Sequence, residues 1–167
     1  MIKIIPSEFS NSAWDYFLFA KEIAHQNYQQ NVESDDLLLS LIKQDNLTKV
    51  ILRKNNVNIR EIEKKIFYSL NSKAKMKTKQ VNLYIGDSLH KVFLKANELK
   101  LTLDDVVIST KHLIYGLTYD DSYGSLILNQ KRAPDFLETI KEMKSDPVKK
   151  NDFDSSNESL DKFGIDL

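Results

Sequence analysis

The chain has 167 residues, 24 Lys plus Arg balanced by 24 Asp plus Glu, and no cysteine. That length suits one domain with a real core, since about 150 residues already hide about 70% of the unfolded surface. Zero net charge gives no bulk affinity for nucleic acid or membranes, and the absence of cysteine removes disulfides and thiolate metal sites. Four glycines and three prolines suit long helices with short connections better than a sandwich of many strands.

The first predicted helix is capped by Ser10 or Ser12 and buries Ala13, Tyr16, Phe17, Ala20, Ile23 and Ala24 at three-and-four spacing. Trp14, Leu18 and Phe19 lie off that stripe. Residues 25–31 form a polar connector. Ser34 then caps a second helix with Asp35 and Asp36 in its first turn and Leu37, Leu38, Leu41 and Ile42 inward. A short third helix spans 47–53, Asn55-Asn56 gives it a left-handed end, and Asn58 caps a fourth with Ile59, Ile62, Ile66 and Leu70 on one side. Residues 71–80, with Lys73, Lys75, Lys77 and Lys79, read as a solvated linker.

Asp87 caps a fifth helix carrying Leu89, Val92, Phe93, Ala96 and Leu99. After a loop over 100–109, Thr110 caps a sixth, 125–130 forms a seventh, and Pro134 opens an eighth with Phe136, Leu137, Ile140 and Met143. Residues 144–161 are polar and carry no apolar period, so they read as a flexible tail.

Residues 12–53 align with 88–129 without a gap, at a constant offset of 76. Ser12, Phe17, Leu18, Ala20, Glu22, Leu37, Leu41, Asp45, Ile51 and Leu52 recur identically, and Val32/Ile108, Ser34/Thr110 and Leu38/Ile114 conservatively. Core positions match core positions, so the predicted fold is all-α: eight helices as two pseudo-twofold-related four-helix repeats, at about 8–70 and 84–143.

These elements resemble the double-repeat N-terminal domain of the Clp AAA+ unfoldases and disaggregases, the ClpB type more than the ClpC type. Phe9-Ser10 stands for the family's aromatic-Thr pair. Segments 34–41 (Ser-Asp-Asp-Leu-Leu-Leu-Ser-Leu) and 110–117 (Thr-Lys-His-Leu-Ile-Tyr-Gly-Leu) stand for its Thr/Ser-x-Glu-His-Leu-Leu-x-Ala-Leu motif. The last eight residues, Leu160 to Leu167, resemble the junction leading into the first ATPase module, which makes 144–167 a linker toward a module absent from this chain.

The resemblance implies a domain that binds unfolded or aggregated protein, or an adaptor. It would pass clients to a hexameric ATPase ring in the cytoplasm, the isolated domain being monomeric. The alternatives are an adaptor-docking domain on a protease-coupled ClpC-type unfoldase, and a free-standing helical regulator. ATP and magnesium would belong to the ATPase modules. This chain has no P-loop, no histidine at metal spacing and no nucleophile elbow, so no catalytic or cofactor site is expected in it.

Eight residues are candidates for the binding surface. Trp14, Leu18 and Phe19 either line an apolar groove for clients or pack against the second repeat. Asp104 and Asp105 are either groove-bordering acids or solvated loop acids, and Ser10 is helix cap and groove edge or cap alone. In ClpC-like relatives, Thr and Glu at the motif positions bind phosphoarginine. Ser10 and Asp35 are rough equivalents in the first repeat, whereas the second has neither and Lys111 reverses the charge.

Overall fold

The computed structural model describes residues 4–142. Predicted features at Met143 and in the 144–167 linker lie outside the described residues. A single 3-10 turn, Pro6–Glu8, precedes the first helix. The helices are α1 (Asn11–Gln26), α2 (Ser34–Gln44), α3 (Asn46–Lys54), α4 (Ile59–Ser72), α5 (Asp87–Thr102), α6 (Thr110–Leu117), α7 (Gly124–Leu128) and α8 (Ala133–Glu142). The all-α, two-repeat expectation holds.

Most ends lie within a residue or two of their predicted places, for identifiable reasons. Ser10 caps α1, its Oγ accepting from the Ala13 N–H at 3.1 Å. Asn56 is left-handed at φ 57°, closing α3, and Asn129 at φ 47° closes α7. The motif helices start one residue earlier than predicted: the caps are Glu33 and Ser109, and Ser34 and Thr110 are already helical. The third residue of each helix reaches back to its cap, Asp36 Oδ2 accepting from Glu33 N–H at 2.9 Å and His112 Nδ1 from Ser109 N–H at 2.8 Å. A side chain at that position closing on the cap backbone is half of a capping box. The shift keeps the two caps in step, 76 residues apart.

The twofold relation is written in short extended pairings that the sequence did not suggest. β1 (Asn31–Val32) runs parallel to β2 (Tyr84–Ile85), with Val32 opposite Ile85. Phe9 makes an isolated parallel bridge with Ile108. Adding 76 to Phe9 gives Ile85, and adding it to Val32 gives Ile108, so the two pairings exchange under the repeat. Each repeat thus lends its entry residue to the backbone just before the other repeat's motif helix. Phe17 and its counterpart Phe93 meet edge to face, with ring centres 5.7 Å apart, which places them beside the axis. At another point of the seam, Asn55 Nδ2 donates to the Ile127 and Leu128 carbonyls, and Asn129 Nδ2 to those of Asn55 and Asn56.

One core runs through both repeats. The motif leucines Leu37, Leu41, Leu113 and Leu117 are fully buried in it. In repeat two, α6 lies against α5 at Gly116: a β-carbon there would sit 2.4 Å from the Val92 carbonyl oxygen. The same place in repeat one holds Ser40, whose Oγ donates to the Tyr16 carbonyl at 2.7 Å. Backbone on one side and a packed helix on the other leave no flexible neighbour to give way. Gly116→Ala is therefore expected to cost about 1–3 kcal/mol by overpacking. Urea unfolding checks this, and an unchanged midpoint would show that α6 shifts freely.

Residues 74–79 are exposed, as expected of a linker, but the segment is not free. Lys73 is half-buried, its Nζ 2.7 Å from Asp35 Oδ2. Lys79 donates to Gln26 Oε1 at 2.8 Å and stands over the Tyr28 ring, and Met76 N–H donates to the Tyr28 carbonyl. The segment is strapped along repeat one, and Lys75 and Lys77 alone of its four lysines face solvent without a recorded partner. Among the described residues no helix is long and apolar enough to cross a membrane.

Candidate functional site

Four of the predicted site residues gather on the seam around the Phe9–Ile108 bridge. Ser10 N–H donates to the Ile108 carbonyl at 2.8 Å, and Ser10 is buried. The loop before α6 turns through Asp104, exposed and left-handed at φ 58°. Asp105 folds back from it. Its Oδ2 accepts from His112 Nε2 at 2.7 Å and lies 3.4 Å from Lys111 Nζ. Val106 at the loop tip is 88% exposed. The seam therefore presents one apolar side chain and two acids, of which Asp105 is half-engaged by its own chain.

Ser109, His112 and Asp105 stand in a serine–histidine–aspartate row, but the row cannot do nucleophilic chemistry. His112 Nδ1, the atom that would take a proton from Ser109, already accepts the Ser109 backbone N–H. That fixes the proton on Nε2, where it is donated to Asp105. The ring is 1% exposed, and burial, which disfavours the imidazolium, lowers its pKa against the opposing pull of Asp105. The three groups hold the head of α6 and the loop together.

Two candidates are taken off the accessible surface. Trp14 is 6% exposed, with its ring centre 5.7 Å from that of Phe9 and 5.3 Å from that of Phe17, and both phenyl rings meet Phe93 of the other repeat. Trp14 is buried in an aromatic cluster at the seam, packed directly on Phe9 and Phe17, which in turn meet the second repeat. Of the two readings the sequence offered, burial fits packing, because the inter-repeat seam widens the buried face of α1 beyond the intra-repeat stripe. Asp35 is 3% exposed and fully engaged, accepting from Lys73 Nζ, Ser69 Oγ and Asp36 N–H at 2.8, 2.9 and 2.9 Å. It pins α2 to the end of α4 and offers no free oxygen edge to a guanidinium. Lys111, with a 12% exposed side chain, is likewise turned toward Asp105.

Leu18 and Phe19 are half-buried and part company. Leu18 packs on the core. Phe19 lines an open pocket of about 310 Å³ on repeat one, away from the seam residues in its lining. Ile23 of α1, Leu39 of α2, and Phe67 and Leu70 of α4 complete its apolar wall, and Glu22, Gln26, Asn27, Lys43 and Asn71 form its polar edge. Phe67 is 43% exposed, with Lys43 Nζ 5.9 Å from its ring centre. A second hollow of about 580 Å³ opens beside it over α3 and the start of α4, and Lys43 lines both. Its rim holds Lys43, Lys49, Arg53 and Arg60 against one acid, Glu63. Sequence reading missed both hollows. A signal existed: Lys43, Lys49 and Arg53 break the repeat, their counterparts being Tyr119, Ser125 and Asn129.

Among the described residues no group of three or more His, Cys, Asp or Glu could hold a metal ion.

Residues 8–131 match the Clp repeat (R) N-terminal domain family. The chain is 31% identical over 162 residues to the chaperone protein ClpB of Prochlorococcus marinus, covering 95% of this chain and 19% of that protein. It therefore spans about a fifth of the length of the curated relatives it matches. Its fold is that of the Hsp104 N-terminal domain from Candida albicans, at a TM-score of 0.69 and 16% identity over 81% of this chain and 90% of that one. The N-terminal domain of the ClpV1 ATPase from the E. coli EAEC Sci1 T6SS gives a TM-score of 0.68 and 15% identity over 80% and 83%. Identities this low speak to fold alone.

Proposed function

The chain belongs to the Clp repeat N-terminal domain family, and on that footing we propose that it is the substrate- or adaptor-binding domain of an ATP-dependent Clp-type disaggregase or unfoldase. The clients would be unfolded or aggregated proteins. The observation that carries this reading is the family match across both repeats, joined to relatives that are ClpB chaperones. The surface supports it: an open apolar pocket over Phe19 and Phe67, and an exposed apolar tip at Val106 above the seam acids. Exposed apolar hollows rimmed by polar groups are the usual mark of protein contact. Asp104 and Asp105 at the seam would favour client segments that carry a cation beside an apolar side chain.

In this reading each domain binds weakly, and several of them tethered around a hexameric ring gain affinity through effective concentration. ATP hydrolysis, with its magnesium, belongs to the modules of the parent protein. Engagement of Asp35 and reversal of charge at Lys111 also weigh against phosphoarginine as the recognised group.

The test is retention of urea-unfolded luciferase, diluted into buffer, by the immobilised 167-residue chain. Unfolded luciferase should be retained at least tenfold over native luciferase. Equal retention of the two forms would remove the client-binding reading.

A further inference from the structure

We infer that the outer face of repeat one is a two-part peptide site, and that it takes an acidic segment of a partner protein anchored by one apolar side chain. The inference rests on the reading of this chain as a protein-binding domain and adds the chemistry of what is bound.

The first observation is charge placement. The chain as a whole is neutral, yet the hollow over α3 and α4 gathers four cations against one carboxylate. Among the described residues Lys49, Arg53 and Arg60 have no ion-pair or hydrogen-bonded side-chain partner, so all three are free to meet an entering anion. The N-terminus of the 14-residue helix α4 enters the same hollow through Asn58, Ile59 and Arg60, adding its positive end. The floor is Ile42, Val57 and Ile59, which lowers the local dielectric and strengthens attraction to an entering carboxylate.

The second observation is the adjoining apolar pocket. Lys43 is common to both linings, so the two hollows share a wall. A Phe or Leu side chain seated between Phe19, Leu39, Phe67 and Leu70 would bring the next residues of its chain to Lys43 and onward to Arg53 and Arg60.

The third observation is that the fold does not require this opening. In repeat two the counterparts of Leu39 and Lys43 are Tyr115 and Tyr119. Their rings meet edge to face at 5.3 Å, their hydroxyls are 2.9 Å apart, and Lys95, the counterpart of Phe19, stands 4.8 Å above the Tyr119 ring. One repeat spends those positions on packing side chains against each other. The other leaves an apolar hollow that adjoins, through Lys43, the hollow holding the unpaired cations Lys49, Arg53 and Arg60.

A polypeptide fits better than the other polyanions. A nucleic acid would be drawn by long-range charge that a neutral chain lacks, and its phosphates would leave the pocket over Phe67 empty. A free anion has no use for that pocket either. Carboxylates on a chain with an apolar anchor satisfy both halves.

The experiment measures fluorescence anisotropy of a labelled dodecapeptide, one Phe followed by five Asp or Glu in a Gly/Ser background, against the 167-residue chain. The expected result is saturable binding that weakens at least fivefold from 50 to 300 mM salt. Replacing the acids by Asn and Gln, or Phe by Ser, should each weaken it at least fivefold. The chain variant Arg53→Glu with Arg60→Glu should weaken it at least tenfold with an unchanged melting temperature, both side chains being exposed. Lys75→Glu with Lys77→Glu, the same charge change on exposed linker lysines, should leave it unaltered. Equal loss in both double variants, no effect of the amidated peptide, or equally tight binding of a single-stranded DNA dodecamer would overturn the inference. Luciferase retention separates the two readings. If it persists while the peptide fails to bind, the acidic site is wrong and the client-binding domain stands; if both fail, the client-binding reading falls as well.

Discussion

Trp14→Ala should lower the stability of the domain by about 3–5 kcal/mol, the range for emptying a buried aromatic site. For a chain of this size that is a fall of roughly 10 °C in melting temperature. The reason is position. Trp14 joins Phe9 and Phe17 of repeat one in a four-ring cluster completed by Phe93 of repeat two. Truncation would open a hole between the repeats, where two rigid four-helix units meet and neither can collapse alone. Its counterpart in repeat two is His90, so no second copy of the ring compensates. Trp14→Phe is the informative control. The indole Nε1 is buried without a hydrogen-bond partner, and an unpaired buried donor costs about 1–3 kcal/mol. Phenylalanine removes that donor while keeping most of the ring, so its cost should stay below about 1.5 kcal/mol. Thermal unfolding decides the matter: a loss under about 1 kcal/mol for Trp14→Ala would return the residue to the accessible surface.

How far the sequence carried these conclusions depends on what each feature rests on. The constant offset of 76 was enough for the architecture, because core residues recur in register only if the helices do. Helix caps were legible to within one residue. Glu33 and Ser109 cap where Ser34 and Thr110 were expected, because Asp36 and His112 close on the backbone from the third position, a choice that several polar residues in a row leave open. The extended pairings were invisible, since two residues carry no alternation to read. Trp14 stayed a choice between groove and packing because an off-stripe position means exposure only when nothing packs on that side of the helix, and here the Phe9 and Phe17 rings do. The hollows on repeat one are absences of packing. They show in sequence only as places where one repeat fails to follow the other, Lys43 against Tyr119 and Arg53 against Asn129. Lys73 in a lysine-rich run gave no hint that it alone would be drawn onto Asp35.

Beside that ion pair lies the second large effect, a pH dependence seated in the head of α2 and caused first by the burial of Asp36. Asp36 is fully buried, and its pKa is pushed up from 3.8 to about 7, first by burial and then by the charge of Asp35. Hydrogen bonds from Glu33 N–H and Gln29 Nε2, and the charge of Lys73, oppose the shift without cancelling it. Glu33 beside it is raised as well, chiefly by burial. A folded-state pKa above the unfolded value means that the folded chain holds a proton the unfolded chain has released. The stability Asp36 contributes is therefore complete below about pH 4 and is lost as pH rises through about 7. The slope from this one group approaches 1.4 kcal/mol per pH unit inside that window and vanishes above it. Asp36→Asn keeps an oxygen for the Glu33 and Gln29 donors and removes the titration. Relative to its value at pH 4, the variant's stability against wild type should therefore improve by about 2–4 kcal/mol by pH 8. Urea unfolding of both proteins from pH 4 to 8 measures this, and parallel curves would show that Asp36 does not titrate in the window. Lys73→Met should act in the opposite sense. It leaves Asp35 buried without its counter-charge, at a cost of about 2–4 kcal/mol once the 28% exposure of the lysine side chain is allowed for. It also withdraws a charge that holds the Asp36 pKa down, so the pH at which wild-type stability stops falling should move upward in this variant. The acids at the start of the first motif helix are thus occupied, Asp35 in holding α2 against the end of α4 and Asp36 in closing the helix cap and binding Gln29, which is why the partner-binding chemistry of repeat one has to be sought on its outer face, at Phe67, Arg53 and Arg60.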